Sequence, residues 1–160
     1  TRKESSAASD VYKRQAVTPY FVPDDSLLAA LRLAATRGVD VNLILPRRSN
    51  HRIADIVREQ PLRDFAAAGG KVHLAHCMVH AKAVVIDDSL ALAGSLNLDA
   101  RSLFLNFELM VAFYSADDIA RVQGWMTDLA GRCEPYALPE KTSLVRDIGQ
   151  GLVRWLGFQI

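Results

Sequence analysis

Two apolar runs near the middle of the chain, Lys82 to Ile86 and Leu90 to Ala93, are separated only by Asp87-Asp88-Ser89. Three polar residues suffice for a turn and little more, so the two runs are expected to be neighbouring strands. Upstream the signals alternate instead. A strand-like run, Ala16 to Val22, ends in Pro23-Asp24-Asp25-Ser26, and each of the three polar residues can cap a helix. Leu27, Leu28, Leu31 and Leu33, with Ala30, Ala34 and Ala35, supply the helical spacing, and Gly38 ends it. Val39 to Leu45 is a β-branched run bounded by Pro46, as expected of a buried, parallel-type strand. Ser49 or Asn50 can start the next helix, and Pro61 sits where a second helical segment would begin. Gly69-Gly70 closes that segment ahead of a strand over Lys71 to Ala75. Strand-helix-strand-helix-strand followed by adjacent strands implies an α/β fold, a mixed β-sheet flanked by helices on both faces.

Further along, Phe107 to Tyr114 reads as another strand and Ala116 to Ala130 as a helix, with Gly131 just past its end. Leu144 to Phe158 has the spacing of a last amphipathic helix, weakened by Gly149 and Gly151. Residues 1–15 are polar and aperiodic, so they are expected to form a disordered or non-native leader, with the domain occupying 16–160. At 160 residues the chain fits one domain with a real core. A net charge of +1 carries no polyanion signature, so nucleic acid is not an expected partner. Cys77 and Cys133 lie far apart without metal-type pairing and are expected to be reduced, partly buried thiols. There is no signal-peptide pattern, and no apolar run reaches the roughly 18 residues needed to span a bilayer. The chain is expected to be soluble or at most surface-bound.

Chemistry concentrates at one end of the central strand pair. His80 and Lys82 are two residues apart, so on extended backbone they project from one face, with Val84 and Ile86 continuing it and Ala83 and Val85 on the other. Gly94-Ser95-Leu96-Asn97 closes the next strand, and Ser95 and Asn97 again share a face. Gly94 is expected to let a ligand approach the backbone. A neutral imidazole can act as nucleophile or proton carrier. Lys82, Ser95 and Asn97 offer donors suited to phosphoryl oxygens. No cluster with metal-ligand spacing accompanies them, so no metal or other cofactor is expected, and the set reads as a metal-free phosphoryl-transfer site with histidine as covalent carrier.

The pair of patterns, HxKxxxxD at His80, Lys82 and Asp87 and GSxN at Gly94, Ser95 and Asn97, has a chance of arising of roughly one in a million from ordinary residue frequencies. It resembles the signature of the phospholipase D superfamily. The likeness extends to Glu108, eleven residues beyond Asn97, where the family places a carboxylate that hydrogen-bonds the catalytic histidine. The stretches Thr18 to Asp25, Gly38 to His51 and Asn97 to Glu108 are similar to bacterial cardiolipin synthases. That resemblance implies a catalytic set of His80, Lys82, Asn97, Glu108 and Asp87, with Lys82, Ser95 and Asn97 on the phosphate. It also implies a phosphohistidine intermediate, phosphatidylglycerol as substrate, cardiolipin and glycerol as products, and a cytoplasmic-membrane surface as the complete enzyme's place of work. The family's enzymes bring two such motifs to one active site, and this chain carries one. It is therefore expected to be a piece of a longer enzyme, meeting a second half-domain in cis, or to pair with its own copy as a homodimeric phosphodiesterase or nuclease. A half that folds without turning over is the third possibility.

Plainer roles stand beside these. His73 and His76 are expected at the surface or at a strand end. His51 can line the cleft or simply start a helix. Asp87 sits at a strand end suited to holding backbone or a cation. Asp99 and Arg101 suit a cap or an ion pair. Tyr20 and Phe21 are placed either at a lipid-facing entrance or in the core, and Trp125 in the core. Trp155, Leu156 and Phe158 face either a membrane or the absent half, or belong to a frayed terminal helix.

Overall fold

In the computed structural model, which describes residues 12–138, the sheet is built outward from β1 (Lys13–Val17). Both its edges are paired: Gln15 lies opposite Asn42 of the parallel β3 (Asp40–Pro46) and opposite Val85 of the antiparallel β5 (Ala83–Ile86). On one side β4 (Lys71–Ala75) runs parallel to β3, and β9 (Glu134–Pro135) closes the edge antiparallel to β4. On the other, β6 (Leu90–Gly94) and β8 (Met110–Phe113) continue antiparallel from β5. The order is β8-β6-β5-β1-β3-β4-β9, a mixed sheet as expected. A separate two-stranded sheet joins β2 (Phe21–Val22) in parallel to β7 (Leu98–Asp99).

The parallel half is made by helical crossovers. α1 (Asp25–Thr36) is capped by Asp24, whose carboxylate accepts from the backbone N–H groups of Ser26 and Leu27 at 3.0 and 3.3 Å. Gly38 follows it at φ 87°, a left-handed conformation that costs glycine nothing. α2 (Arg52–Val57) and α3 (Glu59–Ala67) return the chain to β4. Leu28 of α1 and Leu62 and Phe65 of α3 pack with Phe21 onto Val41, Leu43, Leu45 and Val72 on one face. The other face is covered by α5 (Ala116–Gly131), whose Ile119 and Met126 bury Val17, Ile44, Ala75, Ala83, Val85 and Ala91. Each of these large side chains contributes about 1.5–3 kcal/mol by leaving water, which makes the two-sided covering the main source of stability.

Several expectations shift in detail. β1 begins at Lys13, three residues inside the stretch 1–15 expected to be a leader. The polar letters Lys-Arg-Gln hid a strand whose charges are met from across the sheet. Asp87 accepts from the Lys13 backbone N–H at 2.7 Å and pairs with the Arg14 guanidinium, while Gln15 is buried. The run Ala16 to Val22 is not one strand, because the chain turns at Thr18, whose hydroxyl donates to the Tyr20 carbonyl at 2.8 Å. The second part therefore leaves the main sheet for β7. The strand expected over Phe107 to Tyr114 shortens to β8, and α4 (Ala100–Phe104) and β9 are additions too short to carry a periodic signal. Trp125 is 42% exposed instead of buried, being one residue, and so about 100° of helix, away from the inward Met126. The helix expected at Leu144 to Phe158, with Trp155, lies outside the described residues.

Candidate active site

Buried Val79 anchors the link from β4 to β5, and the next residue, His80, emerges exposed. His80 and Lys82 stand just ahead of β5 in non-strand backbone, not within the strand. The Lys82 ammonium donates to the His80 carbonyl at 3.0 Å, which ties the two residues together. Beyond them the expected alternation holds: Ala83 and Val85 are buried, Val84 and Ile86 half-buried. Across the hairpin the Gly94 N–H donates to the Lys82 carbonyl at 3.1 Å, so the GSxN turn begins beside the lysine.

Gly94 has a different reason from the expected one. A Cβ here would overlap the carbonyl of Leu109, so glycine makes room for the incoming β8 chain and not for a ligand. The close approach fixes Ser95, whose backbone N–H donates to the Leu109 carbonyl at 3.0 Å while its Oγ accepts from the Leu109 N–H at 3.0 Å. The Ser95 hydroxyl in turn donates to Glu108. Gly94→Ala is therefore expected to destabilise the fold by about 1–3 kcal/mol, the usual cost of forced overpacking, and to expose the Ser95 amide to faster hydrogen exchange. Unchanged exchange at Ser95 would show that β8 does not depend on the missing Cβ.

Glu108 is held by Ser95 and by Asn106 Nδ2 at 3.3 Å, and among the described residues it does not bond His80 as the resemblance implied. The Ser95 hydrogen bond, followed by those of Asn106 and Ser102 and by the charge of Lys82, keeps its carboxyl below the ordinary glutamate range against a smaller effect of desolvation. Lys82 is lowered by partial burial, with Glu108 pulling the other way. Asn97 is half-buried, donates from Nδ2 to Ser102 Oγ at 3.3 Å, and leaves Oδ1 buried without a partner. The following Leu98 N–H is taken by the fully buried Thr18 hydroxyl at 3.3 Å.

Tyr20 forms the neighbouring wall. Its ring meets His80 edge-on at 6.4 Å between centroids and His51 at 5.8 Å, and its hydroxyl donates to Asn50 Oδ1 at 2.5 Å. His51 occupies the N-cap of α2, the helix start expected of it, and makes no capping bond with its side chain. Phe21, by contrast, is fully buried core. His73 lies within β4 with Nε2 2.9 Å from Asn42 Oδ1, and burial lowers its pKa; His76 is exposed. Cys77 and Cys133 are both free thiols, the first exposed and the second half-buried.

Asp87 sits at the opposite end of β5 from Lys82, about 16 Å along the strand. Its backbone adopts φ 49°, which aspartate tolerates, and its carboxylate pins β1 through Lys13 and Arg14. It belongs to the motif as a brace, not as a member of the pocket. Asp87→Ala is expected to cost about 1–3 kcal/mol in urea unfolding, from lost charge-assisted bonds, with inorganic phosphate binding unchanged. Loss of phosphate binding by a folded variant would return Asp87 to the site. Asp99 caps α4 by accepting from the Ser102 N–H at 2.6 Å, as expected of it, and Arg101 Nε lies 3.4 Å from Asn106 Oδ1. Ser102, Thr18 and Asn106 were not singled out from the sequence. Only the Asp99-x-x-Ser102 capping spacing hinted at the first.

A set of one exposed imidazole, one lysine and the polar side chains of Ser95 and Asn97 can bind and attack a phosphodiester from one side. A family model described as cardiolipin synthase, PLD-like domain, matches residues 6–130. Cardiolipin synthase A of Escherichia coli O157:H7 is 42% identical over 120 residues, which is 74% of this chain and 23% of that protein. The K12 (DH10B) protein of the same name matches to the same extent. The chain thus spans about a quarter of the length of the curated relatives it matches. Among solved structures, Nuc of Salmonella typhimurium, a phospholipase D family member, superimposes with a TM-score of 0.67 at 21% identity, over 80% of this chain and 84% of that one. Phosphatidylserine synthase of Haemophilus influenzae Rd KW20 gives 0.66 at 20% identity, over 91% of this chain and 39% of that one. At such identities the two structures attest the fold alone.

Proposed function

The chain belongs to the cardiolipin synthase, phospholipase D-like domain family, and from that membership we propose that it supplies one histidine half-site of a phosphatidyltransferase acting on phosphatidylglycerol. The observation that carries this reading is the meeting of exposed His80 with Lys82, Ser95 and Asn97 at the open end of the β5–β6 hairpin. An imidazole nitrogen of His80 attacks phosphorus; the N–P bond forms as the bond to the glycerol headgroup oxygen breaks. Lys82 and Asn97 donate to the non-bridging oxygens, where charge builds up. Ser95, bonded to Glu108, fixes the turn that presents them. A second imidazole, from a partner half-site, gives its proton to the departing glycerol oxygen. It then takes a proton from the headgroup hydroxyl of another phosphatidylglycerol, whose oxygen displaces His80 to yield cardiolipin.

The need for a partner half-site finds support at the surface. Phe104, Leu105, Phe107, Leu109 and Val111 are all more than half exposed, and they flank Glu108 on the α4–β8 edge. Exposed apolar residues gathered beside a site, instead of scattered, suit a protein interface. The partner is a second motif-bearing half-domain, in cis or as another copy of this chain, working at a membrane surface where the lipid lies. Among the described residues no helix is long and apolar enough to cross a membrane. The test is to supply phosphatidylglycerol labelled in its phosphate to the chain together with a second half-site. Cardiolipin, free glycerol and an acid-labile phosphohistidine at His80 are the expected products. Phosphatidic acid in place of cardiolipin would turn the reading to a phosphodiesterase using water. A protein that never carries phosphate on His80 would overturn both.

A further inference from the structure

Asn97 is tethered at a single atom. Its Nδ2 bonds Ser102 Oγ, and its Oδ1 is buried with no partner among the described residues. A carboxamide held by one hydrogen bond is free to turn about its last torsion once that bond is cut. Ser102 itself is in no position to wander. It is 3% exposed, and its backbone N–H is locked onto Asp99 as part of the cap of α4. The hydroxyl oxygen accepts from Asn97, which leaves its own hydrogen to donate. Ser102 also counts, after Ser95 and Asn106, among the groups that hold the Glu108 carboxyl below the ordinary glutamate range. A buried hydroxyl bonded to Asn97 lies behind the site, not in it.

We propose that Ser102 is a positioning residue of the half-site: its buried hydroxyl sets the Asn97 carboxamide, leaving the second Nδ2 hydrogen for a phosphoryl oxygen. This rests on the reading of Lys82 and Asn97 as phosphate-binding groups. It goes further by naming what holds one of them in place.

The test uses the 160-residue chain labelled with nitrogen-15, titrated with inorganic phosphate and followed by calorimetry and NMR. Ser102→Ala is expected to weaken phosphate about tenfold, the equivalent of one lost hydrogen bond, and to merge the two Asn97 side-chain amide protons toward their unfolded positions. Ser102→Cys, close in size but a poor hydrogen-bonding group, should do the same without opening a cavity. Ser102→Thr should restore both readouts. If phosphate binds Ser102→Ala and Ser102→Cys as tightly as the parent while Lys82→Ala and Asn97→Ala weaken it, the half-site stands and the role of Ser102 is overturned. If none of the four substitutions weakens phosphate, the reading of the site and this role fall together.

Discussion

Replacing His80 by alanine is expected to abolish phosphatidyl transfer, lowering the rate by about four orders of magnitude or more when the chain works with a second half-site. No other group at the hairpin end can take over. Lys82 is a protonated donor tied to the His80 carbonyl, Ser95 is bonded to Glu108, and Asn97 is not a nucleophile. His51 is not at the hairpin end but at the N-cap of α2. Because the His80 side chain is exposed, its removal should change stability by no more than about 0.5 kcal/mol. The measurement is cardiolipin formation from phosphatidylglycerol, with phosphohistidine trapping and urea unfolding alongside. Full turnover by a variant that carries no phosphohistidine would remove His80 from the mechanism. A folded but inert variant is what the covalent route requires.

The largest stability effect should come from Phe65→Ala, at about 3–5 kcal/mol, a large part of the 5–15 kcal/mol that holds a typical domain together. Phe65 on α3 is 0% exposed, and its ring sits 6.4 Å from that of Phe21. The same ring covers Gly70, where any Cβ would overlap it, so the α3–β4 turn is packed around this one side chain. Alanine leaves a cavity lined by α1, α3 and β3, which the backbone cannot close without moving the sheet. Since Phe21 begins β2, and β2 pairs with β7 immediately after Asn97, the loosening should reach the site as well. Urea denaturation measures the first effect, and hydrogen exchange at Leu98 the second. A loss below about 1 kcal/mol would mean that the core repacks and is not set by this ring.

The parts that could be read from sequence are those whose physics is local. A helix cap among Asp24, Asp25 and Ser26, the end of α1 at Gly38, and the Ala83/Val85 alternation that turns the β5 core face inward all follow from spacing, and the structure selects Asp24 as the cap. The motif residues beside β5 and β6 could be singled out the same way, though His80 and Lys82 lie just ahead of β5 and Ser95 and Asn97 just past β6. What was missed has its cause elsewhere in the chain. Lys13, Arg14 and Gln15 look like solvent-facing letters, and they form a strand because Asp87, 74 residues from Lys13, meets the backbone and the guanidinium there. Gly94 looked like space for a ligand and proved to be space for the Leu109 carbonyl.

The same division runs through the chemistry. Composition and order in the sequence by themselves determined a mixed α/β sheet and placed His80, Lys82, Ser95 and Asn97 at one end of a hairpin. Periodicity of two and the shortness of the turn require that much. Only the tertiary structure decided that Asp87 braces β1 about 16 Å from that end, that Glu108 answers to Ser95 and not to His80, and that buried Ser102 stands behind Asn97. Hydrogen bonds between residues distant in the chain depend on which strand edges meet and on what burial leaves unpaired, and neither is written in the spacing of the residues.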